Sequence, residues 1–172
     1  MNEAERPRER GAEAPPQDAY EASIRAMEKF AERQRSGEIL VSGEERKWED
    51  TRQGRIKYYL SPRVFTNTAL QDWKVFIQDI KNHSGRHTHQ GGLVIYVWQG
   101  RGHTMIDGER HDWEEGDMII LPIKPGGVDH QHFNADETAG CVWIAFINTT
   151  WQEAVASHIR QGSVSPSFRG EA

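Results

Sequence analysis

The sequence predicts an all-β domain that follows an amphipathic helix and precedes a short helix. Short apolar or alternating segments recur at regular intervals from Ile39 onward, separated by turn residues. The 16 glycines and 7 prolines favour turns and short strands over long helices. Asp107-Gly108 stands between two such segments, and this dipeptide is a strong signal for a two-residue hairpin. Together these observations indicate a β-sandwich or a β-barrel.

The first elements in order are a tail and a helix. Residues 1–17 consist mostly of Glu, Arg, Ala and Pro, which predicts a disordered charged tail. Residues 18–37 predict an amphipathic helix, because Asp18 followed by Glu21 resembles a capping box and Gly37 is a typical helix end. Its apolar residues follow helical spacing. The helix could pack on its own domain or on a second copy of the chain.

Residues 38–150 form the predicted β-domain. A second helix is predicted over 151–161, within a C-terminal segment that spans 151–172. The predicted strands cover residues 39–42, 56–60, 73–80, 93–98, 103–106, 118–121, 130–133 and 141–147.

Length and charge exclude several classes of function. The 172 residues correspond to one folded unit. The net charge of −5 leaves no basic surface for a nucleic acid. Apolar runs such as residues 93–98 are too short to span a bilayer, and the first residues lack the apolar segment of a secretory signal. A lone Cys141 excludes an internal disulfide and fits a reducing cytoplasm. We therefore expect a cytoplasmic protein that binds neither nucleic acid nor membrane.

Histidine spacing is the main chemical signal. Among eight histidines, His87 and His89 form one alternating pair, and His130 and His132 form another. Alternate residues of a strand share a face, so each pair can direct two imidazoles to one point, as a metal site requires. The alternative is that these are ordinary core or surface histidines. The sequence lacks a metalloprotease helix, a phosphate-binding loop and a serine-hydrolase elbow.

Two groups of residues resemble the two motifs of the cupin superfamily. The first group is His87, His89, Leu93 and Gly100. The second group is Pro125, Gly127, His130 and Asn134. The resemblance implies a double-stranded β-helix, the jelly-roll barrel of cupins. It also implies a homodimer and a divalent metal held by His87, His89 and His130.

The sequence departs from the family at Leu93, where the cupin pattern has a glutamate ligand. Three neutral imidazoles leave the ion with its full charge and with open positions, so the site should attract an anionic or chelating oxygen ligand. In this respect the sequence resembles gentisate-type and diketone-cleaving iron dioxygenases. The resemblance favours Fe(II), although imidazole ligands also suit Zn, Ni, Mn or Cu.

His132 allows three interpretations: a proton-transferring residue beside the metal, a ligand in place of His130, or a structural histidine. As a catalytic residue it would exchange protons near neutral pH. Strand alternation also predicts an apolar pocket beside the metal. The predicted pocket residues are Leu93, Ile95, Val97, Asn134 and Trp143.

The resemblance thus implies a metal-dependent enzyme, an Fe(II) dioxygenase that uses O₂ to cleave a small aromatic or enolisable substrate. Two alternatives remain open. One is a non-redox lyase or isomerase at the same metal. The other is a ligand-binding or sensory cupin without turnover.

Overall fold

Two antiparallel sheets face each other in the computed structural model, which describes residues 14–170. Most of the predicted tail, residues 1–13, lies outside the described residues. The helices are α1 (Ala19–Ser36) and α2 (Thr149–Ala154). The strands are β1 (Trp48–Thr51), β2 (Gly54–Leu60), β3 (Trp73–Ile80), β4 (His87–His89), β5 (Leu93–Gln99), β6 (Arg101–Ile106), β7 (Glu109–Glu114), β8 (Met118–Leu121), β9 (Val128–Asn134), β10 (Cys141–Asn148) and β11 (Arg160–Gln161).

The strand order produces the predicted jelly-roll barrel. One sheet has the order β1-β2-β3-β10-β5-β8, and the other has the order β11-β4-β9-β6-β7. Apolar side chains from the facing surfaces form one core, in which Ile95, Val97 and Trp143 are at most 2% exposed. Cys141 is also buried, and burial raises the pKa of its thiol to about 12. It therefore behaves as a small core residue.

Helix α1 begins where the sequence predicts. The Asp18 side chain accepts a hydrogen bond from the Glu21 N–H at 2.8 Å, which satisfies one free N–H of the first turn. The Glu21 carboxylate accepts from the N–H of Gln17, so the capping box is only half formed. No residue of α1 is buried. Its exposed apolar side chains include Tyr20, Ile24, Met27 and Phe30.

The hairpin between β6 and β7 confirms the interpretation of its turn. Asp107 and Gly108 have φ values of 52° and 90°. Both lie in the left-handed region that a type I′ turn requires. The sequence did not predict β7 as a strand, because five of its six residues are exposed and only Trp113 is buried. Pairing with β6 along its whole length holds this polar strand in place.

One predicted strand is wrong, and the predicted second helix is present with different bounds. Residues 39–42 form no strand, and only an isolated bridge between Glu38 and Thr68 lies beside them. The second helix ends at Ala154 because Ala156 adopts a left-handed φ of 49°. The chain then returns to the barrel, where β11 pairs with the open edge of β4. Among the described residues, neither helix has the length and apolar character needed to cross a membrane.

Candidate metal centre

Three histidines from two neighbouring strands meet inside the barrel. His87 and His89 project from β4, and His130 lies directly opposite His87 in the register of β9. All three side chains are buried. Their potential ligand atoms lie within 4.8 Å of one another. Nitrogens that each lie about 2.1 Å from a common metal are at most roughly 4.2 Å apart, so small ring movements bring this set into coordination geometry.

Backbone carbonyls determine which nitrogen of each ring is free. The Nδ1 atoms of His87, His89 and His130 lie 2.9, 2.7 and 3.1 Å from the carbonyl oxygens of Gly85, Gln90 and Val128, respectively. A carbonyl oxygen can only accept, so each Nδ1 carries the proton and each Nε2 has a free lone pair. Metal-binding histidines are oriented in the same way. The donor set therefore fits a divalent transition metal, and no carboxylate of the described residues joins it.

Burial keeps these rings neutral. It lowers the pKa of His89 to about 4, despite the opposing effect of the hydrogen bond to Gln90. Burial, followed by the neighbouring histidines, holds the pKa of His130 well below its usual range. The pKa of His87 is also lowered, chiefly by burial. Neutral imidazoles bind metal without first releasing a proton, so the cluster is prepared for metal at neutral pH.

His132 has the opposite tautomer. Its Nδ1 lies 2.8 Å from the Thr104 Oγ1, which also accepts a hydrogen bond from the Trp113 Nε1 at 2.9 Å. Among the described residues the buried Thr104 hydroxyl has no other acceptor, so the arrangement that leaves its hydrogen paired is the one in which it donates to His132. His132 Nδ1 is then the acceptor, and its proton is on Nε2. The His132 ring therefore offers its Nε2–H as a hydrogen-bond donor beside the cluster. His130, and not His132, is the third member of the cluster.

A second unpaired donor lies next to His132. The rings of Trp143 and His132 have centroids 4.9 Å apart. Trp143 is 2% exposed, and its Nε1 has no hydrogen-bond partner among the described residues. No hydrogen bond in this part of the chain uses His132 Nε2 either. Buried donors normally have a partner, so the unpaired Trp143 N–H beside His132 indicates a place for a ligand's acceptor oxygen.

The predicted pocket residues of β5 lie inside the barrel. Leu93, Ile95 and Val97 are at most 3% exposed, whereas Trp98 on the opposite face is 61% exposed. Strand alternation from the sequence therefore assigns the two faces correctly. These aliphatic side chains supply an apolar interior.

Asn134 requires a correction, because the structure does not place it in the pocket lining. It ends β9, and its side-chain amide donates to three backbone carbonyls, while its Oδ1 accepts from the Asp136 N–H. The three carbonyls belong to Lys81, Asp136 and Ala139. Asn134 therefore holds the loop between β9 and β10. Strand alternation missed this because the last residue of a strand can turn towards the following loop.

Sequence reasoning also missed Lys74. The cavity that reaches His89 has a volume of about 360 Å³, and Lys74, Arg63, Glu153 and His158 are among its lining residues. On β3, Lys74 lies on the same face as the buried Phe76. A charge within a predicted strand is a signal, but apolar residues occupy both faces of β3. The sequence alone therefore did not show which face is interior.

These features define a jelly-roll barrel with a three-histidine cluster, and comparisons with known proteins agree with a cupin fold. Residues 76–147 match the family model described as "Cupin domain". The resemblance inferred from the two histidine motifs is confirmed. Comparison with curated proteins by sequence yields no match.

Three solved structures show the shared fold. Salicylate 1,2-dioxygenase from Pseudoaminobacter salicylatoxidans has a TM-score of 0.51 and 16% identity over 84% of this chain. This chain spans only 36% of that dioxygenase. A Cupin 2 conserved barrel domain protein from Salinispora arenicola CNS-205 has a TM-score of 0.52 and 17% identity, with coverage of 69% of this chain and 95% of its own. Streptomyces Pac13, a nucleoside dehydratase, has a TM-score of 0.53 and 11% identity. The match covers 76% of this chain and 95% of Pac13.

Proposed function

We propose that this protein is a metal-dependent enzyme that binds Fe(II) through His87, His89 and His130. The proposed reaction is the O₂-dependent cleavage of a small aromatic or enolisable substrate. The observation that carries the proposal is the set of three Nε2 lone pairs, which no carboxylate of residues 14–170 joins. Such a set leaves the charge of the ion uncompensated and leaves coordination positions open for an anionic substrate and for O₂.

When bound, Fe(II) supplies the redox chemistry that joins O₂ to an organic substrate. The protein's own residues then hold and orient that substrate. His132 donates its Nε2–H to a substrate oxygen, and Trp143 offers a second N–H from the adjacent ring. Leu93 and Ile95 form part of the apolar inner wall of the barrel, which excludes water. An aromatic or enolic substrate with a chelating oxygen can accept hydrogen bonds from His132 and Trp143 and can also pack against the apolar wall.

His132 acts in this proposal as a hydrogen-bond donor of fixed tautomer. Burial lowers its pKa to about 3, so the ring is neutral at physiological pH. A neutral Nε2–H can stabilise negative charge that develops on the substrate oxygen. The free lone pair that metal binding needs is absent, because Nδ1 accepts the Thr104 hydrogen bond.

Salicylate 1,2-dioxygenase supports the proposal, because an enzyme of this fold uses an aromatic substrate and O₂. The structure of Pac13 shows that the same fold also supports a dehydratase. For this reason the non-redox lyase or isomerase remains the second candidate. The distinguishing requirement is O₂, which only the dioxygenase consumes.

The test is metal analysis of protein purified without oxygen, followed by O₂ uptake with catechols, hydroxybenzoates and diketones. We expect about one iron per chain and substrate-triggered O₂ uptake that the double variant H87A/H89A abolishes. Anaerobic turnover supported equally by Zn²⁺ would favour the lyase instead. Unchanged uptake by the double variant would refute the proposed metal centre.

The proposal includes a cytoplasmic homodimer. A groove of about 790 Å³ on the outer face of the first sheet is lined by apolar residues such as Trp98, Ile144 and Phe146. Trp98 is 61% exposed in the single chain, and a second copy of the chain would cover it. The single buried, free Cys141 agrees with a reducing compartment.

A further inference from the structure

Lys74 occupies an unusual place for a charged residue. It is the second residue of β3, on the strand face that is directed into the barrel. Its register partner on β10 is the buried Ile147, and its Nζ lies 5.9 Å from the centre of the Phe76 ring. The ammonium thus lies over the face of the Phe76 ring, and Lys74 also lines the cavity that His89 lines.

No hydrogen bond or ion pair holds the Lys74 ammonium among the described residues. Partly buried charges are normally paired, and burial lowers the pKa of this group. Lys74 lines the same cavity as His89, so its charge lies on the side of the histidine cluster that a ligand can reach. An unpaired cation beside a metal centre with uncompensated charge creates a site for an anion.

The other charges of the cavity do not neutralise Lys74. Arg63 and Glu153 lie 3.4 Å apart at the rim, where their side chains are 86% and 64% exposed, so they largely compensate each other. His158 is exposed at the same rim. Lys74 is the cation on the inner side of this cavity, and it has no acidic partner there.

We infer that Lys74 binds an anionic group, most simply a carboxylate, of a ligand whose oxygen donor faces His87, His89 and His130. This inference rests on the proposed function and narrows its substrate class to organic acids. The ligand would span the cavity, with its carboxylate on the Lys74 ammonium and its chelating oxygen at the histidine cluster. A charge-assisted contact of this kind discriminates strongly against a neutral analogue of the same shape.

The probes are salicylate and salicylamide, which share a phenol and a ring and differ in the charge of one substituent. Binding of each to the Co(II)-loaded protein is measured by calorimetry and by the Co(II) absorption spectrum, so no turnover is needed. We expect the wild type to prefer salicylate by at least about ten-fold. Lys74→Met should remove this preference by weakening salicylate alone, and Lys74→Arg should restore most of it.

The matched control is Lys81→Met, because Lys81 is exposed just beyond the opposite end of the same strand. It should bind both probes as the wild type does. Equal Co(II) stoichiometry in every variant establishes that the cluster is intact. The inference is overturned if Lys74→Met retains the preference, if it weakens both probes equally, or if the wild type shows no preference. Preference for salicylate without any O₂ uptake would refute only the dioxygenase.

Discussion

The Thr104 hydroxyl lies 2.8 Å from the His132 Nδ1 and fixes the tautomer of that ring. Trp113 donates to the same hydroxyl from the other side, and because this hydroxyl has no other acceptor among the described residues, its hydrogen is directed to His132. Thr104 is completely buried, and it therefore has no water to replace either partner. Thr104 on β6 thus determines that His132 on β9 directs an Nε2–H, and not a lone pair, towards the interior.

We predict that Thr104→Val, which keeps the shape and removes the hydroxyl, releases this constraint. The ¹⁵N NMR shifts of His132 should change from the Nε2–H pattern to a mixture of tautomers. Metal content should remain, while turnover should fall roughly ten-fold or more, as is typical when a positioned donor is lost. The free energy of unfolding should fall by about 1–3 kcal/mol, because the Trp113 N–H loses its acceptor.

The control for this substitution is Thr88→Val. Thr88 is only half-buried on β4 and its hydroxyl donates to Asp129 near the surface. The Thr88→Val substitution should leave both the ¹⁵N NMR shifts of His132 and the turnover unchanged. An unaltered NMR pattern in Thr104→Val would contradict the assigned tautomer.

Single substitution of each clustered histidine should abolish tight metal binding. We expect the affinities of H87A, H89A and H130A for Co(II) to fall by more than the roughly 10–100-fold caused by loss of a supporting hydrogen bond. Competition titration with a chromophoric chelator measures this change. H111A, which alters an exposed histidine of β7, should bind metal normally. Normal binding by any of the three cluster variants would exclude that residue from the ligand set.

Acid should destabilise the metal-free protein below about pH 6.5. Above that pH both folded and unfolded histidines are neutral and contribute nothing. Below it the unfolded chain takes up protons, whereas burial holds the pKa of His89 at about 4 and that of His132 at about 3 in the folded state. Each of these rings therefore lowers the free energy of unfolding by up to about 1.4 kcal/mol per pH unit until the folded pKa is reached.

Urea unfolding at pH 7.5, 6.5, 5.5 and 4.5 in the presence of a chelator measures this slope. Saturating Zn²⁺ should increase the stability at each pH, because metal binds the folded cluster in preference to the unfolded chain. A free energy of unfolding that stays constant between pH 6.5 and 4.5 would show that these rings take up protons in the folded protein as readily as in the unfolded chain.

Leu93→Glu tests whether the missing carboxylate matters. The cupin pattern places a glutamate ligand at this position, and Leu93 is 3% exposed inside the barrel. We expect tighter binding of Co(II), because a carboxylate compensates part of the ion's charge. Binding of salicylate should weaken for the same reason. Leu93→Gln, which has the same shape without the charge, separates this effect from simple disruption of the core.

Trp98 provides the test of the homodimer. Trp98→Lys places a charge in the apolar groove on the outer face of the first sheet. Light scattering should then give the mass of one chain, whereas the wild type should give twice that mass. Met118→Lys is the control, because Met118 is similarly exposed, at 59%, but lies outside this groove. A monomeric wild type would refute the dimer.

Much of the barrel follows from local sequence patterns. Strands such as β3 and β8 were predicted with their observed bounds, because turn residues separate clear apolar segments. The histidine pairs likewise identified the cluster, since alternation along a strand is a local property. In contrast, β11 consists of two exposed residues that become a strand only because β4 offers a free edge. No local pattern encodes such a partner.

The role of individual site residues depended on contacts between distant strands. Thr104 and Trp113 give His132 its tautomer, yet neither belongs to a recognisable motif. Both faces of β3 carry apolar residues, so the sequence does not show whether the Lys74 side chain is directed inward or outward. The answer depends on which face of the strand the second sheet covers. Asn134 fits the second cupin motif and the alternation of side chains along β9. Its side-chain amide nevertheless donates to backbone carbonyls, two of which belong to the loop after β9. Spacing therefore located the cluster more reliably than it described the surrounding side chains.

The pairing of β11 with β4 covers the edge of the strand that carries His87 and His89. Thr88 and His87 face Arg160 and Gln161, and the Gly162 N–H donates to the Arg86 carbonyl oxygen. On the ribosome, β4 emerges long before these partners do. A nascent chain stalled between them would present two of the histidines on a three-residue strand with an unprotected edge. Protection of the strand that carries both histidines is therefore completed only by the C-terminal segment.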